Sequence, residues 1–438
     1  MPLQSYEMKD SGVEWIGEIP KHWNVKRLKS TIVSLSKGNG ITKDETFENG
    51  DTPCVRYGEI YTQYNQSFTK CKTRTNINIV PSPKYFTYGD ILFTCTGEKV
   101  EEIGKSVAYL GNEKCLAGGD IIILKHTQCA SFLNYALNSN YAQSQKSCDK
   151  AKLKVVHISA SDIGNILLVI PPLPEQQSIA AYLDEKCAAI DEIIAEAKTT
   201  IDEYKSWKAS VIFEAVTKGL NPNAEMKDSG VEWIGRIPCS WEKRCLKTLL
   251  MVLRGGSPRP IEEYLTDSPD GINWIKIGDT TKGAKEIYST KQKIKPSGVA
   301  KSRMVHKGDL LLTNSMSFGE PYFLEVDGCI HDGWVCLTHL SGIDKLFLYY
   351  FLCSDVCKTQ FQMQVDGGVV QNLNIEKIGK TIIYLPPFYE QQSIAAYLDE
   401  KCAAIDGVIA EKEALIGELE SYKKSLIFET VTGKRRVC

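Results

Sequence analysis

The spacing of apolar residues marks out two long helices before any other feature of the chain is considered. Residues 175–218 contain neither Pro nor Gly, and apolar side chains recur at Ile179, Leu183, Cys187, Ile190, Ile194, Ala197, Ile201, Tyr204, Val211 and Ala215. Steps of four and three that average about 3.5 make the seam of a coiled coil. Lys208 breaks that seam. A Pro-Pro-Leu-Pro run at 171–174 leads in, and Gly219, Asn221 and Pro222 lead out, which is start and stop chemistry for a single helix. After Pro386 and Pro387 the same step runs through Ile394, Leu398, Cys402, Ile405, Ile409, Ile416, Leu419 and Leu426. Lys412 and Lys423 interrupt this second seam, and Gly407 and Gly417 weaken its helix slightly. Each helix is predicted to run roughly 44 residues, some 65 Å at about 1.5 Å per residue. Neither can bury its stripe alone. Pairing with each other, antiparallel, covers both stripes; pairing with other chains is the alternative.

The two stretches share more than a period. The segment EQQSIAAYLDEKCAAID fills residues 175–191 and, letter for letter, 390–406, while MKDSGVEWIGEIP at 8–20 returns at 226–238 with one change, Glu18 to Arg236. So long a period means a duplicated domain with its own core, since solenoid units run about 20–50 residues. The bodies between these shared segments read almost nothing alike, although each opens on a Trp and a basic cluster: Trp23, Lys26 and Arg27, then Trp241, Lys243 and Arg244. Identical frames hold different inserts. If the second MKDSGVEWIG segment packs beside the end of the first helix, the first copy packs beside the end of the second. The predicted fold is therefore α/β, with two α/β domains in tandem separated by a long antiparallel two-helix coiled coil, pseudo-two-fold and cyclic. Its segments are 1–172, 173–222, 223–387 and 388–438.

Composition narrows the class. With 43% hydrophobic and 24% charged residues the chain reads as an ordinary globular protein. No run of 18 apolar residues occurs and the N-terminus lacks the layout of a secretion signal, so no membrane span and a cytoplasmic location are expected. The 15 cysteines are scattered, without a CxxC pair, and read as small buried hydrophobes rather than as a metal site. Charge is split unevenly. Residues 21–172 carry 19 Lys and Arg against 13 Asp and Glu, and 239–387 carry 18 against 16. The helical segments lean the other way, with 5 against 9 at 173–222 and 4 against 9 at 388–433. Positive charge in the variable bodies is a lean toward a polyanion.

No catalytic constellation stands out. An adenine methyltransferase needs a polar residue before Pro-Pro-aromatic, but Pro171-Pro172 and Pro386-Pro387 follow Ile170 and Leu385. Gly97, Gly104, Lys105 and Ser106 come near a phosphate-cradling loop with the wrong spacing. The six histidines form no HExxH motif.

The whole chain resembles the specificity subunit of a type I restriction-modification system. The resemblance is carried by the VEWIG.IP segments, the PPLPEQQSIA and PPFYEQQSIA junctions, and the helix ends ASVIFEAVTKG and KSLIFETVTGK. It is carried too by YGDILFTCTGE at 88–98, HKGDLLLTNSMSFGE at 306–320, GGVVQNLNIEKIGKTIIYLPP at 367–387, and the duplication itself. It implies two target recognition domains, each reading one half of a split site on duplex DNA. The helices would set the spacer and dock two methyltransferase subunits, with two restriction/translocase subunits as optional further partners. It also implies no catalysis and no cofactor in this chain, S-adenosylmethionine, ATP and Mg being bound by partner subunits. A coiled-coil adaptor whose end domains bind proteins is the competing reading.

Base edges are read by side chains with paired donors and acceptors, while Lys and hydroxyls grip phosphate. In the first body that chemistry gathers in 54–66, at Arg56, Tyr57, Tyr61, Gln63, Tyr64 and Asn65. A glycine turn with Lys37 and Asn39, and a basic run of Lys150, Lys152 and Lys154, are further DNA-binding candidates. In the second body the matching turn carries Arg254, Ser257 and Arg259, followed by Lys276, Thr280 and Lys282. Asn314, Ser315 and Ser317 form one more turn, and Gln371 and Asn372 another.

Overall fold

Both apolar stripes are helical throughout, over Leu173–Lys218 (46 residues) and Phe388–Val431 (44 residues). The structure, a computed structural model, describes residues 7–97, 103–147, 156–281, 283–314, 319–364 and 373–437. The chain falls into two units, Met1–Ala197 with Glu413–Cys438, and Lys198–Lys412. Each unit takes one body and half of each long helix.

In the first unit a five-stranded sheet runs in the order Ile32–Lys37, Ile121–His126, Ile91–Thr94, Ser106–Tyr109, Ser67–Phe68. Beside it lies a four-stranded sheet of Thr73–Thr75, Thr52–Val55, Cys115–Ala117 and Tyr85–Phe86. Asn24–Arg27 pairs antiparallel with Leu167–Ile170, the strand that feeds the first long helix. Helices Ala130–Asn138 and Asn140–Ser147 follow the sheet.

The second unit repeats this plan in unrelated sequence. Its first sheet orders Met251–Arg254, Trp334–Thr338, Leu310–Thr313, Pro321–Leu324 and Glu286–Ile287; its second orders Leu265–Thr266, Gln292–Ile294, Ile272–Ile275, Gly328–Ile330 and Arg303–Val305. Glu242–Cys245 pairs with Ile382–Leu385 ahead of the second long helix, and helices Lys345–Cys353 and Asp355–Met363 take the same places. The central strands ILFT and LLLT are buried at every residue, the mark of a strand covered on both faces. Each is entered by a Gly-Asp turn. Gly89 and Gly308 sit at φ 86° and 85°, and Asp90 and Asp309 each accept the amide three residues back at 2.8 Å.

The 17-residue repeat makes the same contacts in each unit. Glu175 accepts the Trp23 indole N–H at 2.9 Å, and Glu390 accepts that of Trp241 at 3.2 Å. Buried Gln176 takes the Cys129 amide at 3.0 Å, as buried Gln391 takes that of Asp344 at 2.7 Å. Asp184 holds the Tyr135 hydroxyl and Asp399 the Tyr350 hydroxyl, at 2.9 and 2.7 Å. Asp191 pairs with Lys423 in the first unit, and Asp406 with Lys208 in the second, both at 2.6 Å. Lys208 and Lys423, which interrupt the apolar seams, thus meet the last residue of the repeat.

Most of the expected seam is buried: Ile179, Leu183, Ile190, Ile194 and Ile201 on the first helix, Ile394, Leu398, Ile405 and Ile409 on the second. Four positions differ, Tyr204 and Ile416 among them being only half-buried. Past Lys208 it is Ile212, not Val211, that is buried, because the lysine turns the stripe by one residue. Leu419 is only half-buried, packed on the edge of the first unit's core. The helices end on Gly219 and Gly433, at φ 72° and 75°. A Cβ at Gly433 would run into the Pro20 ring and the Trp23 indole, and one at Gly219 would meet Glu390 and Trp241. The N-terminal segment therefore packs against the end of the second helix within the first unit.

Candidate nucleic-acid interface

The second unit gathers several of the sequence candidates around one cleft of about 710 Å³. Its floor is apolar, with Trp274, Ile261 and Leu265, and its rim carries Ser257, Arg259, Lys276, Gln292 and Asp332. The strand Ile272–Ile275 delivers Lys276, whose amide is capped by Asp279 at 2.8 Å and whose ammonium donates to Gln292 Oε1 at 2.7 Å. Arg259 stands between Pro258 and Pro260, whose rings fix the backbone on either side.

Asp332 organises this rim. Its Oδ1 accepts the Ser257 hydroxyl at 2.7 Å, and Oδ2 pairs with Arg259 Nη2 at 3.5 Å. Its backbone carbonyl takes Arg254 Nε at 3.4 Å and Asn314 Nδ2 at 3.0 Å. The Ser257 hydrogen bond holds the Asp332 carboxyl below its ordinary range, so it stays ionised. Next to it, burial pushes the His331 imidazole down, and its Nδ1 accepts the Gly333 amide at 2.7 Å, so the ring is neutral near pH 7.

The first unit builds the corresponding surface differently. Ladder pairing sets Ala117 opposite Val55 and Ile330 opposite Ile275, so Gly118-Gly119 occupies the station of His331-Asp332. Arg56 stands where Lys276 stands, capping its own turn, but its guanidinium is turned onto buried Glu59 at 3.2 Å. Asn39 is committed as well: its amide group donates to Pro81 and Ser82 carbonyls at 2.9 and 3.2 Å and accepts the Lys84 amide. Lys37 is exposed, 3.5 Å from Asp120, on a cleft of about 350 Å³ shared with His157 and Ser159.

Several candidates make contacts within the fold. Tyr64 is buried and stacked on Phe68 with centroids 4.2 Å apart, and Tyr61 donates to the Thr96 carbonyl at 2.9 Å. Asn65 reaches Asp191 at 3.2 Å on the first long helix. Asn314 is buried beneath Asp332, and Thr280 bonds back to Ile277 at 2.8 Å. Tyr57 and Gln63 remain at the exposed surface. Lys150, Lys152, Lys154, Lys282, Ser315, Ser317, Gln371 and Asn372 lie outside the described residues. Sequence reasoning missed Asp332, Gln292 and Trp274; only the strand pairing that brings them to Arg259 identifies them. Among the described residues, no group of His, Cys, Asp and Glu is placed to hold a metal ion, and no helix is long and apolar enough to cross a membrane.

The family model described as type I restriction modification DNA specificity domain matches twice, over residues 20–203 and 238–415. A putative type I restriction enzyme MjaX specificity subunit of Methanocaldococcus jannaschii is 25% identical over 450 residues, covering 99% of each chain. Among solved structures, a chain from a study of complex assembly and conformational transition of the type I R-M system superposes with TM-score 0.74 at 16% identity, over 95% of this chain and 99% of that one. The HsdS subunit from Thermoanaerobacter tengcongensis superposes with TM-score 0.51 at 16% identity, over 95% and 98%.

Proposed function

The chain belongs to the type I restriction modification DNA specificity family, and we propose that it is a sequence-reading subunit whose two units each recognise one half of an asymmetric, bipartite site on duplex DNA. One observation carries this reading: two units whose five-stranded sheets share one strand order and whose second sheets share it but for one added strand, on near-identical frames, present unlike side chains at the same stations. A symmetric protein with a single specificity has no use for such divergence. Two half-sites of different sequence require it.

The finer points follow as parts of the same proposal. The two long helices form an antiparallel coiled coil that relates the units by a pseudo-two-fold axis and closes the chain into a ring, setting the spacer between half-sites. The opposed runs support this, since Asp191 meets Lys423 in one unit while Lys208 meets Asp406 in the other. The helices also dock two methyltransferase subunits. Catalysis, S-adenosylmethionine, ATP and Mg belong to those partners and to restriction subunits where the system has them.

The test is long-read methylation mapping in cells expressing the chain with its methyltransferase partner. A split motif of two unlike halves is expected, lost when the chain is deleted. Partner binding with no methylation that depends on the chain would refute the proposal and favour an adaptor.

A further inference from the structure

We propose that Arg259 reads a guanine in the half-site of the second unit, and that Asp332 is the positioning residue that presents it. The inference rests on the DNA-reading function proposed above and names the group that performs it. Guanine offers two acceptors, O6 and N7, on its major-groove edge, and the planar fork of an arginine matches both. Such a fork discriminates only if its orientation is fixed before contact.

The structure restricts it from two sides. Pro258 and Pro260 restrict the backbone around Arg259, and Asp332 Oδ2 stands 3.5 Å from Nη2 behind the exposed guanidinium. The carboxylate is itself anchored, because Ser257 holds Oδ1 at 2.7 Å and Asn314 ties its backbone carbonyl from below at 3.0 Å. With 81% of its side chain exposed, Arg259 keeps most of its donors clear of the protein. Phosphate contacts set register without carrying sequence information, whereas a base contact carries it, which is what a positioned fork would serve. The apolar floor beneath the rim is made by half-buried Ile261 and Leu265 over buried Trp274.

The device is confined to one unit. At the matching stations the first unit has Thr42 after buried Ile41, where the second has Arg259 after buried Pro258, and Gly119 where the second has Asp332. The first half-site is therefore an internal control.

The experiment uses the full chain in complex with its methyltransferase partner and duplexes carrying the mapped motif. In the half-site lost on exchange of residues 239–387, each guanine is replaced in turn by 7-deazaguanine, which removes N7 alone. At one position the wild-type complex is expected to lose about 10-fold in affinity, the lower part of the range for a bidentate pair, while Arg259→Ala loses nothing further there. Methylation by Arg259→Ala should spread to other bases at that position, with the first half-site unchanged. Arg259→Lys, which keeps the charge and loses the fork, should lose discrimination but keep most affinity. Asp332→Asn should weaken discrimination at the same base with an unchanged melting temperature. A uniform loss across all sequences in Arg259→Ala, with a shallower salt dependence, would assign Arg259 to phosphate and overturn the inference. So would an unchanged motif. A wild-type complex that binds no split duplex would instead overturn the broader function, so the two failures are distinguishable.

Discussion

Charge reversal at Lys423 tests how the long helices are held. Its ammonium touches both oxygens of Asp191 at 2.6 Å, with 16% of the lysine side chain and 40% of the aspartate exposed. The aspartate is open enough for solvent to screen the pair, so a coupling of about 1–2 kcal/mol is expected, between exposed ion pairs and buried charged hydrogen bonds. Lys423→Glu removes that coupling and sets two carboxylates together, for a total loss of about 3 kcal/mol at an effective dielectric near 20. Asp191→Lys combined with Lys423→Glu restores opposite charges and should recover most of it. Urea denaturation of the four variants, at about 0.1 M and 1 M salt, gives the coupling directly, and it should shrink at high salt. A coupling below about 0.3 kcal/mol, or no rescue by the double exchange, would show that the lysine is only a tolerated gap in the seam. Lys208 and Asp406, 2.6 Å apart in the second unit, should give the same result.

Two further outcomes follow from buried groups. Lys146 is fully buried, donates to the Gly104 carbonyl at 2.8 Å, and burial pushes its pKa down to about 7. The unfolded lysine holds its proton up to its ordinary value of 10.5, so the stability lost to burying it is greatest below pH 7 and is regained as pH rises toward 10.5. Lys146→Met should therefore raise the melting temperature at pH 6 more than at pH 10; equal gains at both would contradict a charged burial. Gly433→Ala, at φ 75° against Pro20 and Trp23, should cost at least about 1 kcal/mol, measured as a lower denaturation midpoint.

What could be read from the sequence depended on how local the cause was. The long helices were legible because a stripe of Ile and Leu at step 3.5 is a local signal; the one-residue turn from Val211 to Ile212 past Lys208 and the half-burial of Tyr204, Ile416 and Leu419 escaped it. The Gly-Asp turns before the central strands were equally local. The sheets were not, because strands of two to six residues pair across distant segments and partly in parallel, as Ala117 with Val55 and Ile330 with Ile275. Among candidate site residues, Arg259 and Lys276 could be picked by side-chain type. Asp332 could not: it meets Ser257 across 75 residues of chain, a contact no short pattern encodes. Residue type misled in the opposite direction for Asn39, Tyr64 and Asn314, whose polar atoms or rings are used inside the fold.

Independent reading by two like-folded units is tested most directly by exchanging residues 20–171 for the first body of another family member and mapping methylated sites genome-wide. One half of the motif should change, with the other half and the spacer retained. A motif altered in both halves, or in neither, would contradict it.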